Sequence, residues 1–200
     1  MIYIKKDALK AVSRFSASKD VRYCLNGVNV ESTPDCTRLV ATDGHAMGIH
    51  KYEVKNSETG TVIIPAYVVK TILSWKTPKY STDDITLTIG KVSKVEYHGN
   101  SITFTGLEGT FPNYRRVIPT ELSGVASQFD PDLINRCATA AKDLGHKPLI
   151  TIGHNGTGAA IVFIGSYDLC AILMPLRAEE FDISGFSWVA TLPEAEKIAA

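Results

Sequence analysis

The chain has 200 residues, enough for one domain of upper-middling size or two small ones, and 44% of them are hydrophobic, enough for a real core. Its 21 basic and 21 acidic side chains cancel, which excludes a uniformly basic nucleic-acid coat while allowing a local basic patch. Apolar runs such as Ala159 to Ile164 are far shorter than the ~20 residues of a membrane-spanning helix. Lys5 and Lys6 are followed by no apolar signal-peptide core. Cys24, Cys36, Cys137 and Cys170 share no metal-type spacing. They are read as reduced thiols, and the chain as cytoplasmic.

In chain order, Ile2 to Ile4 reads as a strand. A helix is expected from Asp7, its N-cap, because Ala8, Ala11, Val12 and Phe15 share one helical face and Lys10 and Arg14 fall on the other. Strands are expected at Val21 to Leu25, Val28 to Glu31, Arg38 to Thr42 and Gly48 to Val54, with turns at Ser32 to Asp35 and Asn56 to Gly60. The pattern restarts with a strand at Val62 to Pro65. The following helix has Val68, Val69, Ile72 and Leu73 on its apolar face and is stopped by Pro78. Ile85, Leu87 and Ile89 alternate as a strand. Gly99-Asn100 marks a hairpin between Val95 to His98 and Ile102 to Thr105.

A third round begins near Val125. Asp130-Pro131 caps a helix whose apolar face is Leu133, Cys137, Ala140, Ala141 and Leu144. Strands follow at Leu149 to Ile152, Ala159 to Ile164 and Leu169 to Met174, with an Asn155-Gly156 turn. The chain thus reads as strand–helix–strands three times over. The tail carries Ile183, Phe186 and Trp188, too apolar to stand in water and expected to pack on the body, then a helical-looking Pro193 to Ala200.

Charge is unevenly placed. Residues 8–19 and 60–82 each carry +3 and residues 133–147 carry +2, so these helical stretches hold +8 and the rest of the chain −8. A basic helical face on an otherwise acidic protein suggests a track for a phosphate backbone, against the plainer reading of solvated outer faces.

Four segments carry a family resemblance. Asp20 to Gly27 (DVRYCLNG), Leu39 to Met47 (LVATDGHAM), Phe111 to Pro119 (FPNYRRVIP) and Met174 to Arg177 (MPLR) resemble, in order, the bacterial sliding clamp, the beta subunit of DNA polymerase III. The resemblance covers most of residues 1–177 and implies an α+β fold, the sliding-clamp (DNA clamp) fold, with three helix-plus-strands modules in one chain. Residues 1–120 are similar to the family's whole middle domain, and residues 121–178 to the last half of its final domain. Residues 179–200 form a C-terminal extension without counterpart. The chain resembles a reduced, phage-like form of the family. The resemblance also turns Asn26-Gly27 from a tight hairpin into an expected bulge within a strand region.

The family's pocket for short peptide motifs maps onto Leu25, Thr42, Gly44, His45, Met47, Pro112, Arg116, Val117, Met174, Pro175, Leu176 and Arg177. Leu, Met, Pro and Val walls suit apolar peptide anchors, and His45 or Arg116 a polar or carboxylate group. A plainer reading makes Met174 and Val117 core residues, and Tyr114 with Arg115 and Arg116 a surface corner. The sequence departs from the family at Ala46, usually arginine, and at Ala178, usually a terminal leucine. Duplex DNA would run past Lys10, Arg14, Lys70, Lys76, Arg136 and Lys142.

The implied function is a DNA sliding clamp, a processivity factor with DNA polymerase, other clamp-binding-motif proteins and a clamp loader as partners. The alternative is an adaptor that binds the same proteins without encircling DNA. Asp43, His45 and His50 invite a metal or acid–base reading but have no third ligand or nucleophile at suitable spacing. No phosphate-loop motif is present, so no catalytic residue, metal or cofactor is expected. Residues 121–178 alone would leave strand edges unpaired. Pairing with a second chain, and the family's ring of twelve modules, give an expected homotetramer.

Overall fold

Neither of the first two modules keeps its own leading strand. In the computed structural model, which describes residues 1–177 and 183–190 apart from the side chains of Ile183, Phe186 and Ala190, β1 (Ile2–Lys5) leads into α1 (Lys6–Ser13). It pairs antiparallel with β6 (Asp84–Thr88) of the second module. In return β5 (Gly60–Pro65), which leads into α2 (Ala66–Ser74), pairs with β2 (Gly27–Thr33) of the first. With β7 (Ser93–Tyr97) and β8 (Asn100–Phe104), one sheet has the order β1-β6-β7-β8. The other contains β3 (Cys36–Thr42) and β4 (Ala46–Glu53). After α3 (Pro131–Asp143) come β9 (Thr151–Gly153), β10 (Ala160–Phe163) and β11 (Leu169–Leu173). They extend that second sheet to seven strands, β5-β2-β3-β4-β11-β10-β9.

The helices pack on the inner side of the sheets, with α1 between α2 and α3. Alternation along the strands sends Val28, Val30, Leu39 and Ala41 inward, where they meet Leu9, Val12 and Phe15 of α1 and Cys137 and Ala141 of α3 in one core. Burial raises the Cys137 thiol to a pKa of about 12, so it is an inert core group. Gly48 sits under the Phe15 ring, and a Cβ there would overlap it.

Several local expectations shift. Helix α1 begins at Lys6 with Lys5 as N-cap, and Asp7 lies in its first turn, accepting the Ala8 N–H at 2.6 Å. Val21 to Leu25 is not a strand: Tyr23–Leu25 is a single 3-10 turn. Nor is Asn26 a bulge residue. Its amide exchanges hydrogen bonds with the Asp20 backbone at 2.8 and 2.9 Å, which folds residues 20–26 into a compact loop before the strand starts at Gly27. Helix α2 ends at Ser74, ahead of Pro78, because Trp75 is already extended. The hairpin turn is His98-Gly99, both at positive φ, with Tyr97 paired to Asn100. Asp130 does cap α3, accepting the Asp132 N–H at 2.8 Å, with Pro131 in the first turn.

The third module has no leading strand. Residues 121–129 instead run beside the β9–β10 turn, where the Gly124 N–H bonds the His154 carbonyl at 3.1 Å and the Gly156 N–H the Val125 carbonyl at 2.9 Å. Its last strand is not an open edge: β11 pairs with β4 from Leu169↔His50 to Leu173↔Ala46. In the tail, Ile183–Ala190 forms a 3-10 helix on which Trp188 is 68% and Val189 66% exposed, while the side chains of Ile183 and Phe186, also expected to pack, lie outside the described residues. The expected helix at Pro193 to Ala200 lies outside the described residues.

Candidate functional site

Where β4 meets β11, the outer face of the long sheet carries a second apolar cluster, separate from the core. Val40, Met47, Ile172 and Tyr114 are buried in it, with Ile49, Phe111, Ile118, Ala159 and Ile161 packed around them. The register explains the grouping: Met47 pairs with Thr42 on one side and Ile172 on the other, and Ile172 pairs with Ile161. These side chains share the outward face by strand alternation. The 111–118 segment lies over them, Tyr114–Val117 forming a 3-10 turn.

Tyr114 is thus a buried support and not part of a surface corner. Its hydroxyl donates to Glu31 Oε2 at 3.0 Å, and Arg115 holds the same oxygen at 2.6 Å. Burial first, and then the Glu31 charge, push the phenol up to about 12, so it remains a donor. Arg115 and Arg116 are exposed.

The rim of the cluster is accessible. Met174, Val117 and Leu176 are 41%, 48% and 52% exposed, Pro112 and Arg177 are also exposed, and Pro175 is half-buried. Met174 follows Ile172 by two residues and so continues its face. The β3–β4 turn closes one side. Thr42 Oγ1 donates to the Ala46 carbonyl and accepts the Gly44 N–H at 2.8 and 3.0 Å, and Gly44 has φ +95°. The His45 carbonyl accepts the Met174 N–H at 2.9 Å, while the His45 side chain is exposed. The Leu176 N–H bonds the Gln128 carbonyl at 2.8 Å, tying the end of the strand to the linker before α3.

Most of the twelve expected pocket residues therefore gather at one place. Leu25, in the 3-10 turn, is 1% exposed, its carbonyl accepts the Ala17 N–H, and it is not among the residues of the outer-face cluster. Sequence reasoning missed the floor, Val40, Ile172 and Ile161. The alternation of their strands was the available signal, but it does not say which face carries a site.

Asp43 and His45 approach to 4.0 Å, Oδ1 to Nδ1, but His50 does not join them. Asp43 accepts the His45 and Ala46 N–H groups, both at 2.9 Å, and the Arg136 guanidinium at 2.5 Å. Burial opposes its ionisation, but these donors outweigh it and lower its pKa. His50 points elsewhere, is buried, and has an Nδ1 without a hydrogen-bond partner among the described residues. Among the described residues no three His, Cys, Asp or Glu side chains group to hold a metal.

On the helical side, Lys10, Arg14, Lys70, Lys76 and Lys142 are exposed. The sequence reading treats them as free cations, and two are not. Asp143 of α3 binds Lys10 at 2.7 Å and Arg14 at 2.8 Å, joining α3 to α1. Arg136 is half-buried against Asp43 and so anchored away from open solvent. Lys70, Lys76 and Lys142 have no ion pair among the described residues. No helix among the described residues is long and apolar enough to cross a membrane.

Residues 4–113 match the family described as DNA polymerase III beta subunit, central domain. The beta sliding clamp of Buchnera aphidicola is 32% identical over 119 residues, 58% of this chain and 31% of that protein. The beta sliding clamp of Escherichia coli K12 is 31% identical over 117 residues, 57% of this chain and 31% of that protein. The match thus spans about a third of the length of these relatives. The solved DNA polymerase III beta subunit of Thermotoga maritima superposes with a TM-score of 0.68 at 17% identity, covering 89% of this chain and 65% of that one. With more than half of this chain matched to the family's central domain and the fold shared along most of the rest, the chain belongs to the DNA polymerase III beta-subunit family.

Proposed function

We propose that the chain is a sliding clamp: a non-enzymatic ring that encircles duplex DNA and tethers a DNA polymerase through short peptide motifs. The observation that carries this reading is the outer-face cluster with its open rim at Met174, Val117 and Leu176. An apolar floor, a partly exposed methionine and nearby polar groups suit an extended peptide with apolar anchors. The opposite, helical face suits weak and non-specific phosphate contact, as a sliding ring needs. Lys70, Lys76 and Lys142 supply its unpaired charge, with Lys10, Arg14 and Arg136 held partly by carboxylates.

In this reading residues 1–120 form one complete clamp domain, residues 121–178 a half domain seated on it, and four chains close the ring. A clamp loader opens it. Light scattering tests the assembly. A mass near one chain, 21.7 kDa, at micromolar concentration would sink the ring, whereas a tetramer that stays on circular DNA and slides off linear DNA would support it. The partial neutralisation of Lys10, Arg14 and Arg136, three cations against two carboxylates, favours one second reading, an adaptor that keeps the peptide site and never encircles DNA.

A further inference from the structure

Between α2 and β6 the chain makes a loop, residues 75–83, whose base is fixed and whose tip is bare. At the base the buried Tyr97 hydroxyl sits 2.6 Å from Thr77 Oγ1 and 3.0 Å from Asp83 Oδ1. Lys6 Nζ donates to the Trp75 carbonyl. The Ser81 hydroxyl donates to the Pro78 carbonyl at 2.6 Å, closing a turn across the tip. On that tip Tyr80 is 94% exposed, at φ +67°. A bulky residue in the left-handed region is strained, and the strain is tolerated only where the surroundings impose it. Here the imposed conformation holds an aromatic ring in water, where neither core packing nor a buried hydroxyl accounts for it.

The surrounding charge is of one sign at the tip. Lys76 and Lys79 are exposed, and neither is ion-paired among the described residues. Lys79 Nζ lies 5.1 Å from the Tyr80 ring centroid. The loop continues directly from α2, whose exposed Lys70 faces solvent. An ammonium group beside an exposed ring, with a second lysine on the same loop and a hydrogen-bonded base beneath, matches the two needs of an unpaired nucleotide: cations for its phosphates and a flat surface for its base.

We propose that Lys76, Lys79 and Tyr80 form a binding site for single-stranded DNA, with the Tyr80 ring stacked on a base and the two lysines on the adjoining phosphates. A duplex, whose bases are already stacked, gains only the lysine contacts. The site is distinct from the outer-face peptide site, goes beyond the ring reading, and stands even if the chain never closes a ring.

Fluorescence anisotropy with a labelled oligothymidylate, and with a duplex of equal length, tests it on the full chain at low salt. Tyr80→Gly removes the ring and suits the positive φ, so the fold is kept. It is expected to weaken oligothymidylate binding roughly fivefold or more while changing duplex binding less than about twofold. Tyr80→Trp is expected to retain binding and to add a tryptophan signal that the oligonucleotide quenches. Lys79→Ala is expected to weaken binding and flatten its salt dependence. Unchanged oligothymidylate affinity in Tyr80→Gly would overturn the proposal. So would equal losses for single strand and duplex, or a labelled polyglutamate peptide bound as tightly with the same dependence on Tyr80. Retention on circular DNA is scored separately, so failure of the ring and failure of this site are told apart.

Discussion

Met47 of β4 stands directly opposite Ile172 of β11, and both are buried in the cluster on the outer side of the sheet. It is one of the five β4–β11 pairs that help join the first module to the third, and Met174 lies two positions beyond it. Stability and the proposed peptide recognition thus fall on adjacent residues of one face, and mutation can separate them.

Ile172→Ala should destabilise the protein by about 2–5 kcal/mol, because it opens a cavity at the joint between two modules. Met174→Ala, at a position 41% exposed, should leave the denaturation midpoint nearly unchanged. It should weaken binding of a polymerase-derived motif peptide by about 1–3 kcal/mol. Chemical denaturation and calorimetric titration check the pair. Unchanged peptide affinity in Met174→Ala would remove the rim from the peptide site.

Asp143 holds Lys10 and Arg14 together. Burial raises its pKa, but the hydrogen bonds from Arg14 and Lys10 prevail and the net shift is downward. A depressed carboxylate stabilises the fold at pH above its unfolded value, 3.8, and that contribution is lost as the pH falls through the lower folded value. Both cations are more than a third exposed, so Asp143→Asn should cost only about 1–2 kcal/mol at neutral pH. It should also free two cations and steepen the salt dependence of DNA retention. Retention measured against salt would show no change if α1 never meets DNA. Charge reversal at Lys70 and Lys142 is a cleaner test of the helical face than reversal at Lys10 and Arg14, which would also break the α1–α3 link.

His50 packs between Leu39 and Leu169 in the register that joins β3, β4 and β11. Burial lowers its pKa from 6.5 to about 4, with Asp168 opposing. A depressed histidine is neutral in the fold while the unfolded chain takes up a proton. Stability is therefore whole above pH 6.5 and declines as the pH falls towards about 4. The loss should approach about 3 kcal/mol at most. Denaturation curves taken across this range should flatten in His50→Leu. An equally steep decline in the variant would place the titration elsewhere.

Gly48→Ala should destabilise by about 1–3 kcal/mol, because the new methyl group meets the Phe15 ring inside a packed core. Pairing it with Phe15→Leu should recover part of the loss, and a double-mutant cycle measures the coupling. Strictly additive losses would mean that the clash is relieved by backbone movement instead.

Much of the local structure is legible in the residues themselves. Alternation at Ile85 and Leu87 yields β6, the 3.6-residue period of Val68, Val69 and Ile72 yields α2, and Asp130-Pro131 marks the start of α3, because each signal is carried by neighbours in sequence. The errors fall where local signals compete with distant groups. Val21 to Leu25 has strand-forming residues, but the Asn26 amide bonds back to Asp20 and the segment coils. The basic helical face is readable as a charge count, yet the count cannot say that Asp143 reaches across to Lys10 and Arg14 from another helix.

The candidate peptide site divides in the same way. Its rim follows from the family resemblance of Met174 to Arg177 and Phe111 to Pro119, which are short and continuous. Its floor does not, because a strand's alternation gives two faces without saying which one is covered by helices. By itself the sequence determined most of the helices and strands. Only the tertiary structure decided that β1 and β5 change places, that β11 closes the edge of β4, and that Val40, Met47 and Ile172 meet. The reason is physical: backbone hydrogen bonds within a helix join residues four apart, whereas strand pairing joins residues at any separation. The choice among possible partners is made by the burial of whole faces and not by any local stretch of chain.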